Sequence, residues 1–244
     1  MSSVVAPSSP AAEARDGLRR ILPVLVAIIP FGLVYGAVAR NAGLTVAEIM
    51  GFSAFVYAGA SQFVALEMIG LSSPVLAVAV TIFALNFRHV LYSAAVGRHL
   101  TLFSPLQKAI AFFLLVDPVF GEAEARATRG PITPSFYFVY ALVLYSCWLM
   151  SSFTGAVFGS LIGDPATFAL DFILPVYFLT LLMDFRRRRN FLPVALASGV
   201  ASLILLVSVG PPWNVTIGAL GGILYAFFAK PAVAADEATE EPAA

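Results

Sequence analysis

Residues 73–96 read SPVLAVAVTIFALNFRHVLYSAAV, a run in which one arginine and one histidine are the only side chains that can carry charge near neutral pH among residues that are otherwise mostly apolar. A helix of this length rises about 36 Å, enough to cross a hydrocarbon core of about 30 Å. The stretch therefore predicts a membrane-crossing helix that keeps polar groups inside. Similar runs lie on either side of it, at 18–39, 45–69, 106–121, 135–160, 166–184, 191–209 and 212–229. The expected fold is all-α, a polytopic membrane helix bundle of about eight spans with broken or kinked helices. Seven is the alternative, if 106–121, short and interrupted by Asp117-Pro118, is re-entrant.

The whole chain agrees. Of its 244 residues 60% are hydrophobic and 11% charged, with a mean hydropathy of +0.91; soluble domains are about one-quarter charged. Net charge is zero. Together these exclude a water-soluble enzyme, a disordered chain and a basic nucleic-acid binder. Eighteen of the 28 charges cluster in residues 1–20, 121–130, 186–189 and from Lys230 onward. Residues 1–17 are expected to be a disordered cytoplasmic tail, 18–230 a single transmembrane domain, and 231–244 a second disordered cytoplasmic tail. Cys147 is the single cysteine and reads as a packing residue.

Basic residues mark the cytoplasmic side. Arg15, Arg19 and Arg20 place the N-terminus inside, Arg186–Arg189 and Lys230 place the later segments and the C-terminus inside, and Arg126 and Arg129 follow. On eight spans Arg98 and Lys108 fall outside, against the rule. Pro23, Pro30, Gly32 and Gly36 predict a broken first helix, Gly51, Gly59 and Gly70 a broken second, and Pro118 and Pro175 breaks in the fourth and sixth. Gly32/Gly36, Gly155/Gly159/Gly163 and Gly218/Gly222 repeat at four-residue spacing, a pattern that lets helix backbones approach. Gly36-Ala37-Val38 and Gly155-Ala156-Val157 form an internal echo between spans that run in the same direction; an inverted repeat would need a half-crossing between them.

Ionisable groups inside a span are costly and mark function or pairing. Asn86, His89 and Ser93 share one helical face and Arg88 and Tyr92 the next. Arg88 offers a planar fork to a carboxylate, either that of a substrate or that of Glu67, Asp117 or Asp171. His89 titrates near neutrality and suits proton transfer. Ala58-Gly59-Ala60-Ser61-Gln62-Phe63 allows a helix break, with a new helix N-terminus near Ser61 aimed at an anion. Gly59-Ala60-Ser61-Gln62 resembles the nucleophile turn of rhomboid proteases, but Gln62 replaces the last glycine. No Gly-Lys-Ser/Thr sequence and no metal-binding spacing occur. The chain is expected to be no enzyme and to need no cofactor.

In order along the chain, Pro30-Phe31-Gly32-x-x-x-Gly36, Gly43-Leu44-Thr45, Ala58-Gly59-Ala60-Ser61-Gln62-Phe63 and Asn86-Phe87-Arg88-His89-x-Leu91-Tyr92 resemble the AzlC family, the large subunit of branched-chain amino-acid exporters. The resemblance implies a permease of the bacterial inner (plasma) membrane that exports leucine, isoleucine, valine and related amino acids. It also implies secondary transport driven by protons, and a small AzlD-type membrane subunit as partner. It departs from the family pattern at Asp117-Pro118, where an Asp-Glu pair is expected, and at Glu67, where a neutral residue is expected. The site expected on this reading lies between the broken first and second spans and residues 86–92. Ser61, Gln62, Asn86 and Arg88 would bind the polar head of the substrate, Phe31, Phe55 and Phe63 its side chain, while His89, Asp117 or Asp171 would carry the proton. A higher oligomer is compatible with the glycine faces. The alternatives are a carrier of another small organic solute and a non-transporting scaffold subunit.

Overall fold

A computed structural model describes residues 9–159, 190–210 and 213–229, with Leu179, Leu182, Met183 and Arg186. The expected sites at Asp171, Pro175 and Gly163, most of span 166–184 and the tail 231–244 lie outside them. The described residues form helices α1 (Pro10–Asn41), α2 (Val46–Phe55), α3 (Gly59–Gly70), α4 (Val75–Gly97), α5 (Pro105–Phe113), α6 (Asp117–Ala127), α7 (Pro134–Phe158), α8 (Phe191–Ser208) and α9 (Trp213–Phe228). No strand occurs among them. Four, α1, α4, α7 and α8, are long and apolar enough to cross a membrane. The chain divides into two compact units, one built on α1–α7 without residues 71–77 and one on α8–α9 with residues 71–77.

Helix α1 starts eight residues before the expected end of the N-terminal tail. Ser9 caps it by accepting from the Ala12 amide, Pro10 occupies its first turn and Glu13 favours the positive end. Residues 10–17 are thus helical rather than disordered. The expected break in this helix is absent: α1 runs through both Pro23 and Pro30. Each proline removes one ladder bond, a loss that membrane helices tolerate when neighbours pack on them.

Helix α7 is the partner of α1 along its whole length. Gly17 faces the Phe136 backbone, Gly32 faces Ser151, Gly36 faces Ser152 and Ala156, Gly155 faces Leu33, and Gly159 faces Ala37. Residue numbers rise together, so the two helices are parallel, and the echoing segments at Gly36 and Gly155 lie against one another. A Cβ at Gly36 or Gly155 would collide with backbone on the other helix; the glycines set the helix separation, as their spacing predicted.

The segments expected to be the second and fourth spans do not cross. Helix α2 carries a capping box of Thr45 and Glu48 and ends at Val56. Helix α3 then begins at Gly59 and turns back, so that Ser53 and Gln62 sit side by side, with Gln62 Nε2 donating to Ser53 Oγ at 3.3 Å. Phe63 on α3 touches Phe31 and Tyr35 on α1, with ring centroids 4.8 and 5.6 Å apart. Helix α3 therefore runs with α1, back toward the side where α1 ends (the distal side). Helix α5, capped by a Ser104–Gln107 box, and α6 form the mirror case. Pro118 in the first turn of α6 prevents α5 from continuing through it. Helix α6 runs to the side where α1 begins (the proximal side), where Arg126 Nη2 meets Glu13 at 2.9 Å. Tyr92 stacks on Phe120 at 4.1 Å and Arg88 meets Asp117, so α4 descends alongside α6 to the proximal side.

Unit one therefore contains three crossing helices, α1, α4 and α7, and two half-crossing hairpins that enter from opposite sides. Each hairpin arm is 9–12 residues, about 14–18 Å, half of a bilayer core. In 45–69 and in 106–121 two short helices stand where one continuous span was expected, because each segment carries a local break that hydropathy alone does not register. The re-entrant alternative fits 106–121, and 45–69 is built the same way. It also removes the charge conflict: Arg98 and Lys108 now lie on the proximal side with Arg20, Arg126 and Arg129.

Three tyrosines of α7 satisfy carbonyls of the hairpins. Tyr145 donates to Ala54 O at 3.0 Å, Tyr140 to Pro118 O at 3.3 Å and Tyr137 to Ala111 O at 2.7 Å. On the proximal side an ionic network joins α1 to α6: Arg126 holds Glu13 and Asp16, and Arg20 holds Asp16 and Glu122. Arg129 also pairs with Glu122, Thr133 donates to Glu13, and the Arg126 guanidinium lies 5.0 Å from the Phe136 ring centroid.

In unit two, α8 and α9 are antiparallel. Gly218, Gly221 and Gly222 admit Ser202, Ala201 and Ser198 of α8. Ser202 donates to Asn214 O at 3.0 Å and Ser198 to Gly218 O at 3.3 Å. Gly210, at φ +79°, makes the turn before α9.

Two outcomes follow. Replacing Tyr145 by Phe strands a tip carbonyl and is expected to lower unfolding stability in detergent by about 1–3 kcal/mol. In a Cys147→Ser background, Thr101→Cys and Arg129→Cys are expected to react with a membrane-impermeant thiol reagent from one side and Asn41→Cys from the other. Eight full spans would instead put positions 101 and 129 on opposite sides.

Candidate functional site

The tips of the two hairpins converge on the middle of α7. Tyr57, in the tip between α2 and α3, packs edge-on against Tyr145 with centroids 4.8 Å apart, and Phe113, at the end of α5, reaches the same ring at 6.0 Å. Around this level the crossing helices supply polar groups, and α4 is tied to each hairpin by side chains.

Ser61, fully buried, donates its hydroxyl to Asn86 Oδ1 at 2.6 Å, which ties α3 to α4. Arg88 Nη2 lies 3.1 Å from Asp117 Oδ2, and Tyr92 donates to Asp117 Oδ1 at 2.9 Å, which ties α6 to α4. The shared face of Arg88 and Tyr92 thus grips one carboxylate, as their i,i+4 spacing predicts. Asp117 sits in the first turn of α6, where the helix dipole also favours its charge. Arg88 therefore meets a fixed carboxylate in this state, the second of the two partners expected for it. Its Nε and the neighbouring His89 Nε2 are buried without a hydrogen bond.

Phe31 and Phe63 are brought together as expected. Phe55 is not: it is 83% exposed, because α2 ends there and its last turn faces outward. Tyr35 and Trp148, which sequence reasoning did not select, take the place expected of Phe55. Their rings stack at 5.8 Å, and Trp148 also meets Phe31 at 5.9 Å. The spacing of Trp148 and Ser152, four residues apart on the glycine-lined helix, was the available signal. Asp171 lies outside the described residues.

These residues fall within the segment matched by a family profile described as AzlC protein, which covers residues 23–162. The chain belongs to the AzlC family. The inner membrane protein YgaZ of Escherichia coli is 31% identical over 227 residues, 90% of this chain and 92% of that one. A membrane protein of Archaeoglobus fulgidus with no assigned function is 33% identical over 207 residues, 83% of this chain and 90% of its own length. No solved structure matches. As an AzlC-family membrane protein the chain is consistent with a transporter role, and the segment that carries the family match contains both hairpins.

Removing one member of the central charge pair tests its weight. Asp117→Leu leaves Arg88 without its counter-charge and is expected to cost about 2 kcal/mol in detergent unfolding, while the double change Arg88→Leu/Asp117→Leu recovers most of it. Equal losses for the single and double variants would show that the pair carries no coupling.

Proposed function

We propose that this chain is the large subunit of a two-component exporter that moves branched-chain and other hydrophobic amino acids out of the cytoplasm by proton-coupled alternating access. The observation that carries this reading is the meeting of the two hairpin tips at Tyr145 of α7, with the Arg88–Asp117 pair beside them. Broken helices inside the membrane are the usual setting for transporter sites, and a half-buried charge pair beside them suits coupling to a proton. Protonating Asp117 would cancel its hold on Arg88 and loosen the tie between α4 and α6; His89, next to Arg88, would pass the proton. Ser61, Gln62 and Asn86 would meet the polar head of the substrate, and Phe31 and Phe63 its side chain.

We read the proximal side as cytoplasmic. Arg15, Arg19, Arg20, Arg98, Lys108, Arg126 and Arg129 lie there, against Arg40 on the distal side, and basic residues favour the inside. The small AzlD-type subunit is the proposed partner. The chain acts as a carrier, with no covalent chemistry of its own.

The test uses cells lacking endogenous exporters, loaded with leucine-containing dipeptides and expressing the chain with and without a small membrane subunit encoded beside it. Leucine efflux is expected with the pair, and Asp117→Asn is expected to reduce it to the level of cells without the chain. No efflux, with both proteins inserted, would contradict the reading and favour a carrier of another solute or a scaffold.

A further inference from the structure

Glu124, near the proximal end of α6, is half-buried, and its Oε1 is buried without a hydrogen bond. Among the described residues it is the one carboxylate with such an atom. The other acids of α6 and of the start of α1 are engaged: Asp117 by Arg88 and Tyr92, Glu122 by Arg20 and Arg129, and Glu13 and Asp16 by Arg126. Buried polar atoms are almost always paired, so an unpaired carboxylate oxygen calls for a partner from outside the chain. A proton is the smallest such partner. Glu124 can take or release one without breaking an ion pair, which neither Asp117 nor Glu122 can do.

Helical periodicity fixes the side of α6 on which Glu124 stands. Asp117, Phe120 and Glu124 are at i, i+3 and i+7, on one face of the helix. Asp117 and Phe120 meet Arg88 and Tyr92 of α4, so this is the face that α6 turns to α4. Glu122 and Arg126 occupy the opposite side, against α1. Seven residues carry α6 about 10.5 Å toward the proximal side, which sets Glu124 one turn before the helix ends at Ala127. The titratable side chains around this face are Arg88, His89 and Tyr92 of α4 at the level of Asp117, and Tyr140 of α7, which donates to Pro118 O. Just beyond α4, Arg98 bonds His99 at 3.1 Å. None of them is hydrogen-bonded to Glu124 Oε1. Between the two acids along α6 lies the Tyr92–Phe120 stack.

We propose that Glu124 is the proton exit of the exporter, the group that takes the coupling proton from Asp117 and releases it to the cytoplasm. The assignment rests on the export reading above and adds the route by which its coupling ion leaves. In the step, the Asp117 carboxyl gives its proton to water at the α4–α6 interface, and that water gives one to the Glu124 carboxylate. Asp117 ends ionised and takes Arg88 again. Glu124 ends neutral and then loses its proton to cytoplasmic water. The stacked rings of Tyr92 and Phe120 separate the two acids, so the proton crosses only with water admitted beside them.

The test uses the chain reconstituted in liposomes with the small membrane subunit encoded beside it. Two fluxes are compared: uptake of radiolabelled leucine into vesicles with an acidic lumen, where outflowing protons draw leucine in, and leucine–leucine exchange without a pH gradient. The parent is expected to show both. Glu124→Gln, close in size and unable to carry a proton, is expected to reduce gradient-driven uptake to the level of empty vesicles while keeping exchange. Glu122→Gln, on the α1 side of the same helix, is expected to keep the parental ratio of uptake to exchange. Gradient-driven uptake retained in Glu124→Gln would overturn the assignment and leave export standing. Loss of exchange together with uptake in that variant would overturn it too, since a group needed only for folding or substrate binding behaves that way. A matching uncoupling in Glu122→Gln would show that any acid on α6 serves, and would also overturn it. A parent with exchange but no gradient-driven uptake would overturn proton coupling, and a parent with neither flux the export reading, each taking the Glu124 assignment with it.

Discussion

A peptide group in hydrocarbon must find a hydrogen bond within the protein, and the half-crossing hairpins expose this constraint more than any other part of the chain. Each tip ends one helix and begins another beside the middle of α7, leaving carbonyls on one arm and amides on the other. The carbonyl side is met by Tyr145, and the carbonyls of Ala111 and Pro118 on the other hairpin by Tyr137 and Tyr140. One helix thus anchors both hairpins from a single tyrosine-rich face. The amide side differs at the two tips: α6 carries Asp117 in its first turn, whereas α3 begins with Gly59, Ala60 and Ser61.

The same arrangement divides rigid parts from adjustable ones. Helices α1 and α7 touch backbone to backbone through glycine and serine along their length, and such an interface admits little relative motion. The ionic network of Glu13, Asp16, Arg20, Glu122 and Arg126 fixes the proximal end of α6 to this pair. Helix α4, in contrast, is joined to the two hairpins by the Ser61–Asn86 hydrogen bond and by the grip of Arg88 and Tyr92 on Asp117. Those ties are a few polar side-chain bonds, in contrast to the continuous backbone contact of α1 with α7.

Much of this was legible in the residues. Composition gave the membrane class, the glycine spacing gave the α1–α7 face, and the i,i+4 pair Arg88/Tyr92 gave a shared partner. The break near Gly59 and the proline after Asp117 were also visible. What composition did not carry was direction. A 25-residue apolar run and a hairpin of two half-length helices have the same hydropathy, and only the reversal at Val56–Ala58 or Leu114–Val116 separates them. The signs of that reversal were the misplaced Arg98 and Lys108, which on eight spans broke the charge rule. Pro23 and Pro30 misled in the other direction, since packing against α7 keeps α1 continuous. Tyr35 and Trp148 were passed over because aromatic residues in a span read as core. Their contacts with each other and with Phe31 and Phe63 are a property of the folded arrangement.

The central claim is that two hairpins inserted from opposite sides meet at one depth. Spin labels at Tyr57 and Leu115, each in a Cys147→Ser background in liposomes, would report that depth through the balance of oxygen and polar-relaxant accessibility. The account predicts that both labels lie near the middle of the ~30 Å hydrocarbon core and at matching depths. A label at either position that reports the headgroup region would contradict it.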